Sequence, residues 1–517
     1  MPFFDFHLHP SLKGQFASPA QQPSPWDRIH LSFRDPDFLL RLLKCQGIDQ
    51  VVDSQASLTQ LMDAGLNLIA IALHPPEAAM MNDGLIQKIA EEDQTHFIDN
   101  DKIDAIGTGD IYYQLLNEEL DHLENHLQHL GKKLKILQHF GEYDPADTQT
   151  IHAIINVEGP HAFYGRRSGR SLDEIMTDFE ANFRDFTENR GVRIFALNIA
   201  HLEKNDFCNH AFGIQIFKQE PFFPLGTGIS NEGLQLLEWM KEKNIFCDIK
   251  HTSLFARKTL YNLGWHGGNW PLVCTHAGLT GIHSEQRYRY LLQHRVFGEG
   301  FLRVKHYKPL GYLEGTSFNP SSINLYDDDV VTIIRSGGLI GLSMDQRILG
   351  SPEDEMMGIG YLDEIYEEEV ISAGEREWFR GSKADRKTVD DDKVLKLNDI
   401  KTERDRRNSY NFHARHFLNH VFHLFQIART NGIADSVIAK RICIGSDFDG
   451  MINPVDSCKN VTELPAFKQL LLDEFINWEA EFKNETGFRV SDIISPQDLL
   501  DNIFYRNGRD FLQEWYR

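Results

Sequence analysis

The sequence has no excess of positive charge. Its 53 Lys and Arg stand against 76 Asp and Glu, a formal net charge of −23. Nucleic acid is thereby excluded as the main partner, because phosphate binding needs a basic footprint. The acidic surplus is dispersed and confers solubility rather than selecting a partner. No run of 18 apolar residues marks a membrane-spanning helix, so no membrane partner is expected. The opening MPFFDFHLHP lacks a basic segment followed by a long apolar one, so no secretory leader is expected. Cysteine is scarce, with six in the chain and no C-x-x-C pair. Cys247, Cys274 and Cys443 sit inside apolar runs, which suits small buried hydrophobes and a reducing, cytoplasmic location. A Gly-rich phosphate loop and a G-x-S-x-G elbow are both missing, so neither nucleotide use nor a serine nucleophile is expected.

What is present is a long globular chain. Its 517 residues allow one large domain with insertions or two to three ordinary ones. Hydrophobic residues at 41% and charged residues at 25% suit an enzyme-sized fold. Short apolar runs recur, each closing in polar residues: FFDFHLH (3–9), NLIAIALH (67–74), HAIINVEG (152–159), VRIFALNIAH (192–201), FCDIKHTS (246–253), PLVCTHAG (271–278), GLIGLSMD (338–345) and RICIGSDFDG (441–450). They are near-continuous rather than alternating, as parallel strands buried on both faces are. VVDS (51–54) competes for one place.

Helical patterns lie between several runs. Ser171 with Glu174 forms a capping box, and Ser230 is a candidate cap for the helix that follows it. A last helix is expected from Ser495, with Pro496 in its first turn. Eight strands alternating with helices predict an α/β fold, a (β/α)8 TIM-type barrel over 1–517 as one domain. Insertions are expected near 75–150, 279–337 and 346–440. The first holds a long helix-like stretch, DIYYQLLNEELDHLENHLQHLGKKL. The last holds EDE, EEE and DDD runs and KTERDRR, charge blocks that read as a solvated face.

The C-terminal strand ends of such a barrel form one rim, where catalytic residues gather. The residues closing the runs are His7 and His9, His74, Glu158, Asn198 and His201, His251, His276, and Asp447 and Asp449. His-x-His on a strand puts both imidazoles on one face, and neutral imidazole is a good zinc ligand. His7, His9, Glu158, His251, His276 and Asp447 together exceed the needs of one tetrahedral ion. Two ions about 3.5–4 Å apart, bridged by a carboxylate and hydroxide, use them all. His413, His416, His420 and His423 also recur on one helix face; a buried packing helix is the expected explanation. His74 is expected to anchor a loop.

These motifs resemble the amidohydrolase superfamily and, within it, the membrane dipeptidase (renal dipeptidase-like, peptidase M19) family. NVEGPHAF resembles its Glu-Gly strand, FCDIKHTS its Asp-x-Ser-His-x-Ser strand, PLVCTHAG its Pro-x-x-x-Ser-His strand, and IGSDFDG its Gly-x-Asp-Phe-Asp-Gly signature. HVFH and NGRDFL fit as well, and the matches run in order along nearly the whole chain. The resemblance implies a hydrolase of an amide bond, with a dipeptide or related small molecule as substrate. It implies two divalent metal ions, zinc first among them, held by His7, His9, Glu158, His251 and His276. Asp447 is then the general base toward a metal-bridging hydroxide, and His201 touches the tetrahedral intermediate. Lys250 competes for the carboxylated-lysine role of relatives, but alternation turns it away from His251, which favours Glu158.

The chain also departs from the family pattern. His9 replaces an aspartate, exchanging an anionic ligand for a neutral one. Ile323, in INLYDDDVV, stands where the family's arginine grips the substrate carboxylate; Arg287 and Arg289 are the candidates to replace it. A different small substrate (a lactone, another amide or a phosphoester) and a non-catalytic, metal-stabilised protein therefore stay open. A homo-oligomer is compatible with the sequence.

Overall fold

The computed structural model describes residues 2–37, 48–82, 84–165, 169–213, 222–224, 226, 228–264, 270–297, 301–350, 360–380 and 411–517. Seven strands form one sheet: β1 (Phe3–Leu8), β2 (Leu66–Leu73), β3 (Gln128–His129), β4 (Lys132–Ile136), β5 (Thr150–Val157), β6 (Ile194–Asn198) and β7 (Phe246–Asp248). β1, β2, β5, β6 and β7 pair in that order, all parallel. β4 shares an edge of β5 with β6, pairing along Thr150–Ala153 while β6 takes Ile155–Val157.

The remaining strands are β8 (Cys274–Ala277), β9 (Leu291–Phe297), β10 (Phe301–Tyr307), β11 (Ile340–Leu342), β12 (Gly360–Tyr366) and β13 (Ile442–Ile444). β8, β11 and β13 make a parallel sheet, with β11 in the middle. Each of the eight apolar runs therefore contains a parallel strand, and these strands are fully buried, as continuous apolar runs require. Single parallel bridges join the two sheets at both seams, Asp248 with Val273 and Leu8 with Phe448. At the second seam His9 N donates to Phe448 O at 2.9 Å and Asp447 N donates to His7 O at 2.9 Å.

Helices alternate with these strands. Ser171 and Glu174 form the expected box at the start of Leu172–Arg184, Ser230 caps Asn231–Glu242, and Ser495 caps the Pro496–Asp501 helix. The first half of VVDS, Val51 and Val52, ends the short helix Ile48–Val52 and forms no strand. Two expectations are corrected. The long helix of the first insertion stops at Glu124, and the rest is a β3–β4 hairpin. Leu130 and Gly131 take φ of 49° and 83° there, the left-handed pair that a two-residue hairpin turn demands. The inserts also carry an antiparallel sheet, β9–β10–β12, with its own small core of Leu291, Leu302, Val304, Ile365, Val370 and Trp378. The EEE run is not wholly solvated: Glu369 is buried and accepts from Gly228 N at 2.8 Å and Ser253 Oγ at 2.9 Å. The EDE and DDD runs and KTERDRR lie outside the described residues, as does Cys45. The other five cysteines are buried free thiols.

The four-histidine stripe lies on the helix Phe412–Thr430, wholly buried. Each ring serves a different neighbour. His413 accepts from Asp456 N, His416 from Ser317 N and His420 from Leu279 N, while His423 pairs with Asp327 at 2.9 Å. These rings fasten loops to a packing helix. Among the described residues, no helix is long and apolar enough to cross a membrane.

Candidate metal centre

β1 ends in His7-Leu8-His9. The two rings meet with Nε2 atoms 3.1 Å apart, which an irregular register between Asp5 and Leu8 allows. Glu158 follows β5 directly. Gly159, at φ 94°, turns the chain sharply behind it; a Cβ there would sit 2.4 Å from the His161 ring. β7 stops at Asp248, so strand alternation does not extend to Lys250. Instead His251 takes φ 66° in a turn, and Lys250 is buried with its Nζ donating to Ile323 O at 3.4 Å. His276 lies within β8, and Asp447, at φ 63°, follows β13. A left-handed conformation at a non-glycine residue costs about 1–3 kcal/mol, and such strain gathers at functional sites.

These residues converge. Glu158 lies centrally, with Oε1 3.5 Å from His7 Nε2, 3.2 Å from His251 Nε2 and 3.6 Å from His276 Nε2. Its Oε2 is 3.4 Å from His9 Nε2. His251 and His276 face each other with Nε2 atoms 3.2 Å apart. Asp447 borders both pairs, 3.4 Å from His9 Nε2 and 4.0 Å from His276 Nε2. His201 Nε2 lies 3.6 Å from Glu158 Oε1.

The outward nitrogens set the tautomers. His9 Nδ1 donates to Ala72 O at 2.9 Å, a partner that can only accept. The Thr275 hydroxyl gives its one proton to Asp248. Its lone pairs then face His7 Nδ1 at 2.9 Å and His276 Nδ1 at 3.1 Å, so both rings donate to it. The Nε2 atoms of His7, His9 and His276 are left as lone pairs directed at one another and at a carboxylate. Glu158 Oε1 is buried and, among the described residues, has no hydrogen-bond partner. A buried array of acceptors without donors is self-repulsive unless a cation lies among them. The donor set of imidazole nitrogens and carboxylate oxygens suits zinc or a similar divalent ion.

The electrostatics favour neutral rings at three of the four histidines and an ionised carboxylate, with His7 the exception. Burial holds the His9, His251 and His276 imidazoles below their usual range, the last two well below it. Burial alone would raise Glu158, but the charges of His201 and His7 hold it far below the ordinary carboxylate value. His7 is raised, because Glu158 outweighs the opposing effect of burial. Neutral imidazole and ionised carboxylate are the forms that bind metal.

Asp449, two residues beyond Asp447, faces away. It accepts from Gln55 N and Ala56 N, each at 2.8 Å, and pairs with Lys13 at 2.7 Å. Arg287 is buried in an ion pair with Glu375 and lines a small cleft with His210, Ser253 and Glu369. Arg289 is exposed on the turn Ser284–Tyr290, its guanidinium over the Tyr288 ring. Ile323 is buried. His74 touches the centre's edge, its Nδ1 3.1 Å from Glu158 O. Sequence reasoning missed Thr275, Asp248 and Glu77. The first two stand one residue before His276 and three before His251, so adjacency was the available signal.

No protein-family model matches the chain, and no curated protein matches it. Among solved structures it is similar to a metallo peptidase from Rhodobacter sphaeroides liganded with a phosphinate mimic of the dipeptide L-Ala-D-Ala. The identity is 14%, with 100% of this chain and 99% of that chain covered, at a TM-score of 0.48. A dipeptidase AC, a metallo peptidase of family M19, is 14% identical with 100% and 99% covered, at a TM-score of 0.46. The probable dipeptidase PvdM from Pseudomonas aeruginosa is 12% identical, with 89% of this chain and 88% of that chain covered, at a TM-score of 0.45.

Proposed function

We propose that the chain is a metal-dependent hydrolase of the amidohydrolase type, built as a single (β/α)8 barrel, which cleaves an amide bond of a dipeptide or related small molecule. The observation that carries this reading is the convergence of four histidine Nε2 atoms, three of them unprotonated, on the buried Glu158 carboxylate, whose Oε1 lacks a hydrogen-bond partner among the described residues. Two divalent ions, zinc first, are the expected cofactors. His7 and His9 would hold one and His251 and His276 the other, with Glu158 between the pairs. Bound there, such ions supply Lewis acidity and lower the pKa of water to about 7.

The chain's own groups supply the rest. Glu158 is nearly enclosed, whereas the Asp447 side chain keeps 16% of its surface open to the mouth. Asp447 is thus the carboxylate that can reach a substrate proton. It takes the proton of the attacking water at a carboxylate oxygen and returns it to the leaving nitrogen, giving an acid and an amine. His201 presents Nε2 beside Glu158, where, once that nitrogen also carries a proton, it can donate to the carbonyl oxygen as charge develops.

The isoleucine at position 323 favours a second reading, the same chemistry on a different small substrate. One experiment separates these readings. Zinc- or manganese-loaded protein is assayed against dipeptides, other small amides, lactones and phosphoesters, with metal content measured in parallel. Dipeptide cleavage supports the first reading, and cleavage confined to the other classes supports the second. A protein that binds no metal and cleaves nothing refutes both.

A further inference from the structure

Next to the centre lies a second cluster, of which the mechanism above uses only His201: His74, Glu77, His161 and His201, all buried. Its hub is Glu77, in the sequence His74-Pro75-Pro76-Glu77 immediately after β2. The two prolines fix their own φ near −65°, so this loop presents Glu77 with little freedom. The loop is also tied down from outside, because His161 Nε2 donates to Pro75 O at 2.8 Å. Glu77 Oε1 accepts from His201 Nδ1 and from Leu202 N, the latter at 3.3 Å. Its Oε2 faces His74 Nε2 at 3.2 Å. One enclosed carboxylate thus grips two imidazoles that both border Glu158.

We propose that Glu77 is a positioning residue, which by accepting the Nδ1 proton of His201 fixes that ring so that its Nε2 faces the reacting carbonyl. The proposal rests on the hydrolase reading above and deepens it. An imidazole that swings or flips offers either nitrogen, at any angle. With Nδ1–H bound to an anion, the ring plane is set, and only Nε2 is directed toward Glu158, 3.6 Å away. Packing supports the same orientation. The His201 ring lies against His74 at 4.5 Å and His251 at 4.3 Å between centroids, and a Cβ at Gly159 would press on the His201 Cβ at 3.2 Å. Leu202 N would donate equally well to the amide oxygen of a glutamine, but the His201 and His74 rings would both lose their charged partner. What glutamine cannot supply is a charged acceptor for the ring.

The test uses the full chain, zinc-loaded and labelled with 15N-histidine, as wild type, H201N, E77Q, E77D and E77Q/H201N. Wild type should show a low-field ring N–H signal that disappears in H201N, which assigns it. E77Q should lose or shift that signal while keeping the wild-type zinc content. Its kcat should fall about 10–100-fold, the range for a lost charge-assisted hydrogen bond, with KM moving less. The double variant should be no slower than H201N alone, and E77D should recover part of the rate. An unmoved signal in E77Q, full activity in E77Q, zinc loss in step with the rate, or fully additive effects would each overturn the proposal. If wild type cleaves no substrate, the hydrolase reading fails and the signal alone decides the Glu77–His201 pairing. If E77Q does not fold, the absence of a His201 low-field signal from wild type still overturns it.

Discussion

Replacing Thr275 by Val isolates the orientation of the metal-facing nitrogens from the ligands themselves. The substitution keeps the shape and removes one hydroxyl. That hydroxyl holds His7 Nδ1 at 2.9 Å and His276 Nδ1 at 3.1 Å, and it gives its proton to Asp248. Without it, two imidazole N–H groups and one buried carboxylate oxygen lose a partner. Each ring then becomes free to move its proton to Nε2, which cannot ligate. Loss of such an outer partner typically costs 10–100-fold in metal affinity, or about 1.4–2.7 kcal/mol. The metal-free fold should weaken too, by about 1–3 kcal/mol for the stranded groups. Zinc affinity is read by competition with a chromophoric chelator, and stability by urea unfolding of chelator-stripped protein. T275S should restore both, because serine keeps the hydroxyl. Unchanged zinc affinity in T275V, or no recovery in T275S, would refute the assignment of Thr275 as the shared anchor.

Further outcomes follow from the same geometry. D447N should retain metal and lose turnover, since asparagine tolerates φ 63° but cannot take a proton; metal analysis beside the rate assay checks this. E158Q should lower metal occupancy as well as rate, and an unchanged metal content would count against a central carboxylate. G159A should destabilise the chain and impair the centre, because the added Cβ meets the His161 ring at 2.4 Å in a left-handed turn; thermal melting of holo protein reads it. Metal-free protein should lose stability as pH falls from about 6.5 toward 4, read as the urea midpoint. Burial holds His161, His210 and His420 at about 4 in the fold, while the unfolded chain takes up protons below 6.5. His74, raised to about 9 by Glu77 against the pull of burial, acts oppositely, adding stability below 6.5 that is lost as pH rises through 9. Asp5, raised by burial to about 6, and Glu119 and Glu369, raised by burial to about 7, offset part of this loss, so the histidines are read by difference: a pH dependence in H420N identical to that of wild type contradicts the depressed set.

The parallel strands were legible because burial on both faces leaves an unbroken apolar run, and the residue ending each run is then exposed to the rim. His7, Glu158, His276 and Asp447 could be grouped on that basis alone. Other features were not legible, for reasons that lie in three dimensions. That Thr275 reaches two histidines depends on how β1 sits against β8, which composition does not encode. His251 escaped strand alternation because β7 ends at Asp248 and the chain turns left-handed. Glu369 belongs to an acidic run that reads as solvated, yet folding over Gly228 and Ser253 buries it. Leu130-Gly131 lies within a helical pattern and becomes a hairpin tip because β4 finds the edge of β5. Glu77 stands in a loop, where local sequence carries no record of which distant ring it will meet.

The seam between β1 and β13 has a consequence for how the molecule comes into being. Ser446 N donates to Asp5 Oδ1 across 441 residues of chain, beside the Asp447 N bond to His7 O. Asp447 cannot approach His9 until that junction has formed, so a ribosome still making the middle of the chain holds a nascent protein with an incomplete ligand set. Contacts of such long sequence separation form slowly. Loading with metal is therefore expected to be one of the last events in maturation, after β1 and the segment following β13 have found each other.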